Sequence, residues 1–175
     1  LRYTWRDLDR ASAMIANLLA SLALAPDARV AVQVDKSVEA LILYLAVLRA
    51  GLVYLPLNSA YQAAEIEYFI GNAEPAVVVC TRANFGWVSK IAFLAGTKHV
   101  YTLDDDRTGT LLDRASVHPD RHERVPVAPD DLAAYVRGLH PYVRGSLDWC
   151  RLTARYRYQN GVDGVEIMSP GELHD

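Results

Sequence analysis

The stretch VAVQVDKSVEALILYLAVLRAGLVYLP, residues 30–56, carries the reading of the fold. Val30-Ala31-Val32-Gln33-Val34 has the β-branched density of a largely buried strand. From Ser37 the period changes. Val38, Leu41, Ile42, Leu45 and Leu48 recur at helical spacing, and Gly51 stands where a left-handed helix terminus favours a residue without Cβ. This helix is apolar almost all round and is expected to be buried. Val53-Tyr54-Leu55 is then a short strand stopped by Pro56.

The same alternation extends in both directions. Upstream, Thr4 with Asp7 three residues later forms a capping arrangement for a helix over residues 5–21, with Leu8, Ala11, Ile15, Leu18 and Leu19 on one face. Downstream, Asn58 or Ser59 is expected to cap a third helix carrying Ile66, Phe69 and Ile70 and ending at Gly71-Asn72. Residues 75–80 form another buried strand, residues 87–94 a helix, and residues 99–103 a fourth strand. The order α-β-α-β-α-β-α-β, with connections long enough for crossover helices, predicts an α/β fold: a mainly parallel sheet with helices on both faces. Residues 104–131 then turn polar, a surface excursion in which a short helix near Leu111 is expected.

Beyond the fold class the wording becomes specific. Asp35 to Leu41, Leu43 to Ala46, Arg49-Ala50-Gly51 and Val53 to Asn58 are followed in order by Tyr61, Glu65 to Ile70, and Ala73-Glu74-Pro75. This series resembles the N-terminal portion of the adenylate-forming, AMP-binding superfamily of acyl-CoA synthetases. Within that superfamily it is most similar to malonyl-CoA synthetases, at residues 36–44, 54–61 and 73–80. The matching residues read as scaffold, so the resemblance identifies ancestry more directly than activity.

The resemblance implies a two-step reaction. A carboxylic acid is joined to AMP with loss of pyrophosphate, and the acyl group passes to the thiol of coenzyme A. The intact family uses ATP, Mg²⁺ and CoA and takes a small carboxylic acid. Its triphosphate is cradled by a Thr/Ser/Gly-rich loop ending in Lys, which should follow Asp130-Asp131-Leu132-Ala133-Ala134 almost at once. Tyr135-Val136-Arg137-Gly138-Leu139-His140-Pro141 stands there instead. Residues 1–134 are therefore expected to form the N-terminal part of a synthetase domain. Residues 135–175 are expected to be a divergent tail, from a frameshift, deletion or fusion, or poorly packed. No catalytic, cofactor-binding or metal-binding residue carries over, no cofactor is expected on the fragment, and it is expected to be inactive alone. Two alternatives stand beside this reading: a non-catalytic module that associates with a full-length synthetase, and a portion of a peptide-synthetase adenylation domain.

Composition narrows the remaining classes. The 175 residues are 51% hydrophobic and 22% charged, the balance of a folded domain. A net charge of −3, with both signs mixed, argues against a nucleic-acid partner. The longest apolar run, residues 40–48, is far below the ~18–20 residues of a membrane span. No leader pattern opens the chain, and the absence of an initial Met suggests residues missing upstream. Cys80 and Cys150 have no metal-ligand spacing and suit a reducing cytoplasm as small buried residues.

Four other constellations have simple structural readings. His118 and His122 are four apart, but Pro119 argues for a loop rather than a helical metal site. Asp104-Asp105-Asp106 reads as a solvated or capping run. Ser37 and Ser59 precede helices without a nucleophile elbow around them. In the tail, Arg137, Arg144, Arg151, Arg155 and Arg157 interleave with Tyr and Trp, yet five acidic residues after Gly145 offset them. Asn160-Gly161 and Asp163-Gly164 are turn signals for a hairpin of residues 155–158 with 165–168.

Overall fold

The structure, a computed structural model, describes residues 2–127, 131–137 and 151–154. The first helix, α1 (Trp5–Ser21), opens as its sequence requires. Thr4 Oγ1 accepts from the Asp7 N–H at 3.2 Å, and the Asp7 carboxylate accepts from the Thr4 N–H at 2.8 Å, closing a capping box. Strand β1 (Arg29–Gln33) follows, ending two residues before Asp35. Helix α2 (Val38–Arg49) is capped by Ser37, whose hydroxyl accepts from the Ala40 N–H at 3.1 Å. Gly51 takes φ +67° beyond its C-terminus, and β2 (Val53–Pro56) returns alongside β1.

Helix α3 (Ala63–Ala73) departs from expectation at both ends. Its cap is Gln62 with Glu65, while Asn58 Oδ1 accepts from the Ala60 N–H in a turn of its own and Ser59 is exposed. The helix also runs through Gly71 and Asn72. It stops only at Glu74, which adopts a left-handed φ of 45° directly before Pro75. Strand β3 (Val77–Cys80), α4 (Phe85–Leu94), β4 (His99–Thr102) and the short α5 (Thr110–Ala115) complete the alternation. Two further strands, β5 (Ala134–Arg137) and β6 (Arg151–Ala154), extend the sheet.

Among the described residues the sheet has six strands in the order β4-β3-β1-β2-β5-β6. The first five run parallel, and β6 is antiparallel to β5. The pleat of β1 divides the core. Val30 and Val32 lie with Val77, Val79 and Leu103 under α1, α2 and α5. Ala31 lies with Leu55, Val78 and Cys80 under α3 and α4. The outer side of α2 corrects the expectation of full burial, because Val38 and Leu41 are 37% and 49% exposed. The sheet and α1 cover the helix from two directions and leave those side chains facing away from both.

Candidate functional site

In an open parallel sheet, ligands enter at the carboxyl ends of the strands where the strand order reverses. Here that point lies at β1, which pairs with β2 on one side and β3 on the other. The last residue of β1 is Gln33. Its backbone sits opposite Cys80, and its side chain is 1% exposed. Gln33 Nε2 donates to the carbonyl oxygens of Tyr61, at 2.9 Å, and Asn58, at 3.3 Å. Two carbonyl acceptors fix which end of the amide is nitrogen. The remaining atom, Oε1, is buried without a hydrogen-bond partner. Gln33 thus ties the loop between β2 and α3 to the end of the central strand and keeps one acceptor in reserve. The sequence signal was available, since Gln33 is the one polar residue in an otherwise apolar run of five.

The other groups at this edge hold loops. The Arg82 N–H donates to Asp104 Oδ1 at 2.9 Å, and its guanidinium meets Thr108 Oγ1 at 3.0 Å and Asp104 at 3.5 Å. Asp106 accepts from the backbone and hydroxyl of Thr108, which holds its carboxyl below the ordinary aspartate value. The Thr102 and Thr110 hydroxyls each accept from the other residue's N–H, at 3.0 and 2.9 Å. Asp35 and Lys36 are exposed.

The residues weighed from sequence are not brought together. Ser37 is a helix cap. His118 follows α5 in a turn, while His122 lies against Asn17 of α1, so the two do not share a helical face. Among the described residues no group of three or more His, Cys, Asp or Glu could hold a metal ion. Burial pushes the Cys80 thiol up to about 12, which makes it a packing residue rather than a nucleophile. Cys150, Arg144, Arg155, Arg157 and the proposed hairpin lie outside the described residues. Among those same residues no helix is long and apolar enough to cross a membrane.

The order of the elements, the parallel register and the scaffold residues from Asp35 to Pro75 coincide with a known architecture. The family model for AMP-binding enzymes matches residues 1–136. The chain belongs to the AMP-binding enzyme family. It corresponds to the N-terminal portion of that superfamily's fold. Apo MatB from Rhodopseudomonas palustris superposes with a TM-score of 0.75 at 41% identity, over 78% of this chain and 27% of that one. MatB solved with bound ATP gives 0.72 at 43% identity, over 75% and 26%. Among curated relatives, the phosphinothricin tripeptide synthetase PhsC of Streptomyces viridochromogenes is 32% identical over 130 residues, 74% of this chain and 11% of PhsC. The chain therefore spans about a quarter of the MatB structures and about a tenth of PhsC.

At the carboxyl edge the Arg82, Asp104, Thr102 and Thr110 groups are engaged by neighbouring loops, and the buried reserve atom Gln33 Oε1 is an acceptor that would repel phosphate oxygens, so it does not fit a nucleotide triphosphate, while the Lys36 ammonium is exposed.

Proposed function

We propose that these residues are the opening scaffold of an ATP-dependent acid–thiol ligase of the malonyl-CoA synthetase type. The whole enzyme would convert a small carboxylic acid, ATP and CoA to acyl-CoA, AMP and pyrophosphate, with Mg²⁺ on the nucleotide, in the reducing cytoplasm. The observation that carries the reading is the 41% identity to MatB, a malonyl-CoA synthetase, across an aligned fold with a TM-score of 0.75. In this reading residues 1–134 are synthetase scaffold and residues 135–175 a divergent continuation. Tyr135-Val136-Arg137-Gly138 occupies the place of the triphosphate loop and offers neither its hydroxyls nor its Lys. The chain alone is accordingly inactive.

Two measurements test this. Incubated with ATP, Mg²⁺, malonate and CoA, the chain is expected to release no pyrophosphate above background. Turnover of about 1 per second or faster, the ordinary enzymatic range, would refute inactivity. Second, residues 2–134 exchanged for the corresponding segment of MatB are expected to give a folded chimera that makes malonyl-CoA. A folded but inert chimera would count against the malonyl assignment. The 32% identity to PhsC supports the alternative of a peptide-synthetase adenylation domain. For that reading, amino-acid-dependent pyrophosphate exchange in the equivalent PhsC chimera is the discriminating result.

A further inference from the structure

After α5 the chain crosses back over α1 and α2 before reaching β5, and its attachments are polar and far apart in sequence. Asn17 Nδ2 donates to the carbonyl oxygens of Pro119, at 2.8 Å, and Arg121, at 2.9 Å. Arg10 pairs with Asp120 at 2.6 Å. The Val125 N–H donates to the Arg49 carbonyl at 3.1 Å. At the centre lies His122, whose Nδ1 is 2.8 Å from Asn17 Oδ1.

These contacts settle the proton on the ring. Asn17 spends both amide hydrogens on carbonyls, so the atom facing His122 is an oxygen that only accepts. His122 Nδ1 must donate, which leaves Nε2 of the neutral ring as a bare lone pair. That Nε2 is buried without a partner. A second proton would create a buried N–H with no acceptor, attached to a cation near the Arg49 guanidinium, which itself donates to the His122 carbonyl at 3.4 Å. The charged groups around the ring offer no relief. From α1, Asp9 is held by Arg49 at 2.7 Å and Arg10 by Asp120. From α2 comes Arg49 itself, and on the segment Arg121 and Glu123 are exposed.

We propose that residues 119–125 form a proton-operated strap. It is closed on α1 and α2 while His122 is neutral and released when the ring takes up its second proton, so the approach of the chain to β5 responds to pH. The device is independent of which acid the intact enzyme takes. Desolvation first, and then the charge of Arg49, lower the His122 pKa below its ordinary 6.5. The closed strap consequently binds fewer protons than the open one. Its stability is complete above about 6.5 and is lost as pH falls from there through the depressed value.

The test follows the His122 Cε1 resonance and the Val125 amide in the full 175-residue chain between pH 8 and 5. After correction for intrinsic exchange, Val125 protection is expected to fall with pH between about 6.5 and the depressed value, with a slope of at most about tenfold per pH unit, the limit set by uptake of a single proton, and to level off below that. Amides within β1 should keep theirs. His122→Asn retains an N–H donor for Asn17 but cannot titrate, and should keep Val125 protected and flat with pH. Should that variant not fold, the wild-type pair of signals decides alone. Protection that stays level while His122 titrates, or that falls without His122 titrating, overturns the strap, as does an unchanged acid response in His122→Asn.

Discussion

The two faces of the sheet are built from one set of strands by different means. Under α1, α2 and α5 the strands present Val30, Val32, Val77 and Val79, and polar groups are confined to the rim, where Arg49 binds the Asp9 carboxylate and the Ser12 hydroxyl. Under α3 and α4 the same strands present Ala31, Leu55, Val78 and Cys80 together with the buried amide of Gln33. There the volume comes from the helix side, where Phe69 stacks on Tyr61 with ring centroids 5.0 Å apart. One face is specified by distributed aliphatic packing, while the other adds to its aliphatic residues a fully buried Phe69, the aromatic rings of Tyr61 and Trp87, and a hydrogen-bonding plug. Alternation along five residues of β1 produces both.

The contrast is broken most severely at the aromatic. Phe69→Ala should cost about 3–5 kcal/mol in urea unfolding, whereas Leu43→Ala, equally buried on the inner side of α2 but surrounded by other aliphatic side chains able to relax, should fall toward the lower end of about 2–5 kcal/mol. If Leu43→Ala proves the costlier, the account of the two faces is wrong. The plug comes next. Gln33→Leu removes the donors to Asn58 and Tyr61 but also removes the unpartnered Oε1, and its net cost should be about 1–2 kcal/mol. Gln33→Glu would set a carboxylate against two carbonyl oxygens. Burial would raise its folded pKa above the ~4.3 of a free Glu, so its stability would be retained below that value and lost as pH rises through the shifted one. It should match Gln33→Leu near pH 4 and fall below it near pH 8 in thermal melts.

Much of this architecture was legible because local chemistry and tertiary structure agree. The Thr4–Asp7 box, the Ser37 cap and the Gly51 terminus each signal their element within a few residues. The end of α3 was misread because Gly71 and Asn72 are helix-breaking only by propensity. The Asn72 amide donates back to the Tyr68 carbonyl, and the helix persists until Pro75 forbids it. The role of Gln33 depends on a loop 25 to 28 residues away, and the clamp of His122 on a helix 105 residues away. No window of local periodicity contains such pairs. The pairing of β5 with β2, which rests on Tyr54 opposite Ala134, is non-local in the same way. The family signal filled in the parallel scaffold, but scaffold residues specify packing rather than chemistry.

The smallest effect separates the strap from the core. An alanine at position 51 would have to hold φ near +67°, a strain of about 1–2 kcal/mol for a residue bearing Cβ. Its Cβ would also come within 2.8 Å of Val125 Cγ1 and 3.1 Å of Val125 Cβ, so the strap must shift. Val125 is 44% exposed and belongs to the strap rather than to either core cluster. Truncating it should therefore cost little while relieving the collision. The expected cycle is Gly51→Ala destabilising by the strain plus about 0.5–1 kcal/mol for the collision, Val125→Ala nearly neutral, and the double variant recovering that about 0.5–1 kcal/mol, the low end of the coupling seen for residues in contact. The backbone strain would remain in the double variant, because φ at position 51 is fixed by the junction of α2 with β2 and not by the strap. Strict additivity in chemical denaturation would mean that Val125 already stands clear of Gly51 in solution, and that the strap lies more loosely over the end of α2 than its hydrogen bond to Arg49 requires.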